Sequence, residues 1–501
     1  MHDIFQNRYM LLLGIDVGTS SIKIAVVDAA SQQCITTVQF PETETGITSI
    51  QHGWAEQSPE MWWDNVQQAI LKANASQLYS PADIIAIGIA YQMHGLVCVD
   101  KEQNVLRDSI IWCDSRAVEL GNGAFDAIGH AKALQHLLNS PGNFTAAKLA
   151  WVKQHEPAVY QQIDKIMLPG DFIAMKLTGQ ITTSISSLSE GVFWDFKEQA
   201  LSKDVMDHFG LNEVMIPEVK DVFTTHGTVT ASIARLLSLN EGIPVSYKAG
   251  DQPNNALSLN VLEPGEVAAT AGTSGVIYGV SDELTFDPQS RINSFAHVNH
   301  TGVQNRIGVL LCINGTGILN RWIKDITGNR FHYKAMNETA ATIQPGSDGL
   351  IMLPFGNGAE RMLENRMVEG HVHNIDFNKH THAHLFRAAQ EGIAFAFRYG
   401  LDIMRENGMN PSVIRAGKAN MFLSDVFTTS FVNATNVPVE LHDADGSVGA
   451  AKGAGIGAGY YSSAKDAFEN SKPVAMVDPV HQELYENLYG EWKQCLEQQL
   501  V

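Results

Sequence analysis

Gly14-Ile15-Asp16-Val17-Gly18-Thr19-Ser20, set between the apolar runs 11–16 and 22–27, is the stretch that decides the fold. Two β-rich runs joined by Val17-Gly18-Thr19-Ser20-Ser21 read as a hairpin with a Gly/Ser/Thr turn. The pattern returns as Ala271-Gly272-Thr273-Ser274-Gly275, again leading into an apolar run, Val276-Ile277-Tyr278-Gly279-Val280. Gly18 and Gly272 stand 254 residues apart in a chain of 501, close to half its length. A repeat at half length implies two similar domains. Each would offer a Gly-Thr-Ser turn, and two such turns facing each other would form a cleft.

Working outward, short apolar runs alternate with amphipathic segments, which is the signature of α/β architecture. Ser58-Pro59 reads as an N-cap and first residue of a helix. Residues 84–90 read as a buried strand ending at Tyr91-Gln92-Met93-His94-Gly95. Residues 245–250 read as another, stopping at Asp251, with Pro253 suited to the first turn of a helix that runs through Leu257 and Leu259. Phe386, Ala389, Ile393, Phe397 and Met404 recur at roughly helical spacing, and Asn407-Gly408 supplies a stop.

A chain of 501 residues is too long for one core, so two to four domains are expected. With 45% apolar and 18% charged residues it has globular composition. The 34 Lys+Arg against 54 Asp+Glu give a net charge of −20, which argues against nucleic acid or an anionic membrane as partner. Five cysteines, odd in number and without a C-x-x-C, point to reduced thiols rather than a disulfide frame or a zinc site. Met1-His2-Asp3 lacks a basic signal-peptide start, and no apolar stretch approaches the ~20 residues that span a bilayer. A soluble, cytoplasmic protein is the expectation.

The Gly-Thr-Ser turn leaves backbone N–H groups free, adds hydroxyls, and has no Cβ at glycine to block approach, which is what phosphate oxygens require. Asp16, at a strand end beside the turn, is placed to hold Mg²⁺, which favours carboxylate oxygens next to phosphate. Lys23 reads as an exposed strand lysine. Asp251 is the strongest acid–base candidate, because it ends a strand just before a helix, where α/β proteins place their ligands. His94, at another strand end, lines the same cleft or serves the core. There is no G-x-x-x-x-G-K-[ST] and no G-x-S-x-G. The Gly453-Ala-Gly-Ile-Gly-Ala-Gly run reads as close helix packing, not as a dinucleotide fingerprint. The alternating His371, His373, His380, His382 and His384 lack the carboxylate pattern of a metal site.

Seven motifs in order resemble the FGGY carbohydrate kinases: Gly14-Ile-Asp-Val-Gly-Thr-Ser, Tyr91-Gln-Met-His-Gly, Ile111-Trp-Cys-Asp-Ser-Arg116, Lys148-Leu-Ala-Trp151, Gly250-Asp-Gln252, Ala271-Gly-Thr-Ser-Gly275 and His384-Leu-Phe-Arg-Ala-Ala-Gln-Glu-Gly392. The likeness runs from about residue 11 to 460. Gln92-Met93-His94-Gly95, Trp54…Glu56…Trp62-Trp63 and Leu168-Pro-Gly-Asp171 are most similar to the xylulokinase branch.

This resemblance implies two actin-like (ribonuclease H-like) ATPase domains flanking a cleft, 1–256 and 257–501, closing on ATP and a sugar. It implies ATP-dependent phosphorylation of D-xylulose at O5, with Asp251 as general base and Asp16 as the Mg²⁺-associated carboxylate. Gln92, Met93, His94, Asp251 and Gln252 would bind sugar. Thr19, Ser20, Gly272 and Thr273 would line the phosphates, with Gly315 and Thr316 nearby and Gly417 and Asn420 near the adenosine. A homodimer is also implied.

Four stretches depart from the family pattern. Gly-Asp-Asn reads Gly250-Asp251-Gln252, and the Gly-Gly-Gly-Ala loop reads Ala416-Gly417-Lys418-Ala419. Expected aspartates are missing from Thr182–Glu190, and Asn357-Gly-Ala-Glu-Arg361 only partly matches Gly-Glu-Arg-x-Pro. The competing expectations are a kinase for ribulose, glycerol or gluconate, a non-catalytic actin-like nucleotide or sugar sensor, and a dehydrogenase. The last lacks a fingerprint after a strand.

Overall fold

The Gly18-Thr19-Ser20 hairpin is the centre of the first of the two large sheets in the structure, a computed structural model that describes residues 9–500. Its strands are β1 (Leu11–Val17), β2 (Ile22–Asp28), β3 (Cys34–Phe40), β4 (Ile84–Tyr91), β5 (Gly227–Thr228) and β6 (Pro244–Gly250), in the order β5-β6-β4-β1-β2-β3. Every residue of β1 except Asp16 is buried, as expected of a strand covered on both faces. β1, β4 and β6 run parallel, with Val17 opposite Tyr91 and Tyr91 opposite Gly250. Their carboxyl ends are therefore level. Asp16, Gln92-Met93-His94 and Asp251 leave the sheet along one edge.

The second sheet repeats this plan. It contains β7 (Val267–Ala271), β8 (Gly275–Ser281), β9 (Asn293–Ala296), β10 (Ile307–Ile313), β11 (Ile414–Gly417), β12 (Val439–His442) and β13 (Ala475–Val477). The order is β9-β10-β8-β7-β11-β12-β13, which is the first sheet's order with one strand, β9, added beyond the hairpin side. β7, β11 and β12 are parallel, and Gly272-Thr273-Ser274 joins β7 to β8 as Gly18-Thr19-Ser20 joins β1 to β2.

Among the helices that flank or brace these sheets are α1 (Pro59–Ala75), α2 (Asp251–Ser258), α3 (His382–Glu406) and α4 (Gly446–Gly457). Ser58 caps α1 as expected, its Oγ accepting the Met61 N–H at 3.4 Å, and Trp62, Trp63, Val66 and Ile70 are buried beneath it. α2 stops at Ser258, one residue short of the expected Leu259, because Asn260 turns left-handed (φ 54°). α3 ends at Asn407-Gly408 as expected but starts earlier, at His382, where Thr381 supplies an N-cap.

α4 holds the glycine run as far as Gly457, and the run packs closely: a Cβ on Gly453 would stand 2.7 Å from Tyr247 Cγ and one on Gly457 1.8 Å from Ser246 O. A Cβ on Gly14 would stand 1.8 Å from Ser447 O, and one on Gly88 would stand 2.0 Å from Ala450 O, so the helix lies directly on β1 and β4. α4 follows a strand of the second sheet yet packs on the first, where Ala450, Ala451 and Ala454 share a core with Leu12, Ala86, Ala90 and Tyr247. α2 packs against it, and Asn254 Nδ2 donates to Gly446 O at 2.9 Å. Elsewhere the two halves meet through β9. The Ala296 N–H donates to Ser189 Oγ (2.9 Å), and Ser186 Oγ donates to Ala296 O (2.8 Å). Among the described residues no helix is long and apolar enough to cross a membrane.

Candidate active site

The first turn is stiffened from below. Thr19 Oγ1 donates to Gln92 Oε1 (3.2 Å) and accepts from Trp112 Nε1 (3.0 Å), while Gln57 Nε2 donates to Thr19 O (2.8 Å). Gln57 Oε1 in turn accepts from Gln92 Nε2 and Trp62 Nε1. Gln92 is only 2% exposed, and both ends of its amide are used. The structure thus makes it a support for the Thr19 turn, in contrast to the sugar contact expected from sequence. Ser20 is exposed at the tip.

Asp16 on β1 and Asp251 at the end of β6 flank the carboxyl end of β4, which runs parallel between them, and sense each other electrostatically. Burial raises the Asp251 carboxyl from 3.8 to about 7, Asp16 adds to the rise, and hydrogen bonding from Gln252 opposes it. Burial likewise raises Asp16 to about 6, with Asp445 adding to the rise and Lys23 opposing it. Lys23 is half-exposed and stands 3.7 Å from Asp445 Oδ2. The N-terminus of α4 presses on Asp16, since a Cβ on Gly446 would lie 2.6 Å from Asp16 Oδ2. Carboxylates thus outnumber cations here, and oxygen donors with uncompensated negative charge fit a hard divalent ion.

Beside them, Met93 is 5% exposed and His94 adopts a left-handed backbone, φ 62°. The His94 ring lies 4.9 Å from Phe144 and 5.4 Å from Phe295, so it packs against both halves of the chain. Its Nδ1 is 3.0 Å from Glu190 O, a carbonyl that can only accept. That fixes the Nδ1–H tautomer and leaves Nε2 as an acceptor. Burial holds the ring neutral, its pKa down to about 3, with Lys148 adding to the fall. Lys148, fully buried, donates to His94 O (2.9 Å) and Ile111 O (3.0 Å).

Across the cleft a cavity of about 750 Å³ opens beside the second turn, of a size suited to a small-molecule ligand. Gly272, Thr273 and Asn420 line it, with Tyr333, Lys334 and Asn337 on the far wall. Gly315, Thr316 and Gly417 lie outside the lining. The Gly315 N–H is spent on Glu360 Oε1 (3.0 Å), and Thr316, wholly buried, donates its hydroxyl to Ile313 O (3.1 Å). Gly317 takes their place in the wall, its N–H donating to Gly272 O at 2.9 Å. Gly315 and Thr316, expected near the phosphates, thus lie behind the cavity wall and shape the turn that Gly317 presents.

Sequence reasoning missed Glu190, Lys148 as a buried donor, Gly446 against Asp16, and the wall formed by Tyr333, Lys334 and Asn337. The motif Lys148-Leu-Ala-Trp151 was visible, but no periodicity announces a lysine fully inside a helix. The assembled site offers a carboxyl poised near neutrality, a neutral acceptor imidazole, two amide-rich turns and a cavity. That set can take a proton from a hydroxyl and hold a phosphate ester opposite it.

Residues 11–258 match the FGGY family of carbohydrate kinases, N-terminal domain, and residues 267–458 match the C-terminal domain of the same family. The chain is 27% identical over 405 residues to a xylulose kinase of Escherichia coli (strain K12), covering 81% of each chain. It superposes on the xylulose kinase from Rhodospirillum rubrum with a TM-score of 0.85 at 25% identity, over 97% of this chain and 98% of that one. The gluconate kinase from Lactobacillus acidophilus shares the fold, with a TM-score of 0.87 at 20% identity over 98% and 99%.

Proposed function

The chain belongs to the FGGY family of carbohydrate kinases, and from that premise we propose that its acceptor is D-xylulose, phosphorylated at O5 to give D-xylulose 5-phosphate and ADP. The fold is that of the actin-like ATPases, and the enzyme is an ATP-dependent sugar kinase. The choice of sugar is supported by the relatives, which carry the name xylulose kinase. The observation that carries the mechanism is Asp251, a half-buried carboxyl raised to about 7 at the first residue of α2 and electrostatically coupled to Asp16.

In this reading Asp251 accepts the O5 proton, the oxygen attacks the γ-phosphorus of ATP, and ADP leaves on the opposite side. A base with a pKa close to the working pH combines availability with proton affinity. His94 Nε2 accepts a hydrogen bond from a sugar hydroxyl, and Met93 packs against the carbon chain. The backbone N–H groups of the two Gly-Thr-Ser turns hold phosphate oxygens, and the nucleotide fills the cavity lined by Gly272, Thr273 and Asn420. Asp16 would hold Mg²⁺, whose charge would offset that developing on the phosphate oxygens. The division into jaws at residues 256 and 257 belongs to the same proposal, supported by the equal strand orders of the two sheets.

The test is a coupled ADP-release assay across D-xylulose, L-xylulose, D- and L-ribulose, glycerol and gluconate. D-Xylulose is expected to give the highest kcat/KM. A higher value with any other acceptor overturns the choice of sugar, and the absence of ADP release with all six overturns the sugar-kinase mechanism.

A further inference from the structure

Glu190 ends the short helix Ile185–Glu190 and is 1% exposed. It touches each segment that builds the acceptor side of the cleft. Its Oε1 accepts the His94 N–H at 3.1 Å, and its main-chain carbonyl accepts from His94 Nδ1 at 3.0 Å. Among the described residues its Oε2 has no hydrogen-bond partner. That oxygen lies 2.7 Å from where a Cβ on Gly250 would stand, and Met93 Cγ is equally close to the same point.

On the other side of the same peptide, the His94 carbonyl accepts from Lys148 Nζ (2.9 Å) and Thr145 Oγ1 (3.3 Å). A left-handed conformation at a residue with a Cβ is unfavourable and persists only where its surroundings hold it. Here both polar groups of the residue are gripped by buried side chains.

We propose that Glu190 is a positioning residue for the sugar acceptor: with Lys148 it clamps His94 in its left-handed conformation and so aims the free Nε2 of the ring into the cleft. This rests on the reading of the cleft edge at Met93 and His94 as the sugar site. Burial, with Asp251 and Asp171 nearby, holds the Glu190 carboxyl well above the usual carboxylate range. Oε1 thus serves as the acceptor for the His94 N–H, while Oε2 has no hydrogen-bond partner among the described residues. Glutamine reproduces that arrangement, whereas methionine fills the space without it.

The experiment compares Glu190→Gln and Glu190→Met with the parent enzyme. Leaving the buried His94 N–H without an acceptor should raise the sugar KM at least about tenfold in Glu190→Met, with the ATP KM within about twofold of the parent. Glu190→Gln should keep the sugar KM within about threefold. An unchanged sugar KM in Glu190→Met overturns the proposal, as does a Glu190→Gln enzyme whose sugar KM rises tenfold or more. The second criterion stands even if Glu190→Met fails to fold.

Amide hydrogen exchange at His94 provides a readout that needs no acceptor. It should accelerate at least about tenfold in Glu190→Met and return to the parent rate in Glu190→Gln. Unchanged exchange in Glu190→Met overturns the clamp. If the parent phosphorylates none of the six acceptors, the sugar-site reading fails, while His94 exchange still decides the clamp.

Discussion

Replacing Asp251 by asparagine separates chemistry from stability, because the same burial serves both. In the proposed role of general base, Asp251 should contribute about 10²–10⁴ in rate, which is about 3–5 kcal/mol of barrier. Asp251→Asn is therefore expected to lose at least about a hundredfold in kcat while still binding ATP and sugar by calorimetry. The parent kcat/KM should rise about tenfold between pH 6 and 8, as a group with a pKa of about 7 loses its proton, and the variant should lack that limb.

Stability moves the other way. The folded carboxyl titrates at about 7, against 3.8 when unfolded. Below 3.8 both states are protonated and the group costs nothing. Between the two values the unfolded chain binds fewer protons, so stability falls as pH rises, and the full cost is present above about 7. That cost is at most about 4 kcal/mol, less whatever the water-accessible cleft screens. Asparagine carries no such cost. The variant should accordingly unfold at a higher temperature than the parent at pH 8, with the difference shrinking towards pH 5 in thermal scans. A variant within tenfold of parental turnover, or one less stable than the parent at pH 8, refutes this assignment.

Three further perturbations address the rest of the site. Asp16→Asn should lower kcat/KM by about a hundredfold or more and flatten the response of turnover to added Mg²⁺, read by titrating Mg²⁺ after chelation. Gly317→Ala would set a Cβ 2.3 Å from Gly272 O. It should raise the ATP KM several-fold and cost about 1–3 kcal/mol, measured by steady-state kinetics and urea unfolding. Gly14→Ala would drive a Cβ to 1.8 Å from Ser447 O and lift α4 from β1. A stability loss of at least about 1–3 kcal/mol should appear together with lower kcat, because the N-terminus of α4 abuts Asp16.

Local features were the ones legible in the sequence. The two hairpins were legible because Val, Ile and Ala runs on either side of Gly-Thr-Ser leave few alternatives to a tight antiparallel pair. Asp251 was legible because a buried strand followed by Asp-x-Pro marks a strand end turning into a helix. Side-chain direction was not legible. Gln92 sits within a recognisable motif, yet its amide turns under Thr19. Thr316 belongs to a loop at the cavity, yet its hydroxyl returns to Ile313 O. Glu190 closes a serine-rich stretch whose spacing carries no sign of burial. Its environment is made by Tyr91, Met93 and Gly250, which come from other strands. The docking of α4 on β1 joins residues more than 430 positions apart, and only the small side chains of Gly446–Gly457 hinted at a close approach.

The equal strand orders of the two sheets make their differences informative. Both halves deliver a Gly-Thr-Ser turn at the same place, but Asp16 stands where the second copy has Thr270. β6 runs straight into the helix that Asp251 opens, whereas β12 passes through Asp443-Ala444-Asp445 before α4 begins. The carboxyl proposed as base thus sits on the first sheet, and the cavity belongs to the second. Neither half carries both, so the relation between the halves governs the reaction as much as any side chain does. That relation is held where α2 meets α4, through Asn254 and Gly446, and where the His94 ring packs on Phe295. The first contact touches the Asp16 carboxylate and the second touches the acceptor imidazole. Displacing one half against the other therefore disturbs both ends of the transfer at once, which ties phosphoryl transfer to a closed cleft and leaves water poorly placed to replace the sugar.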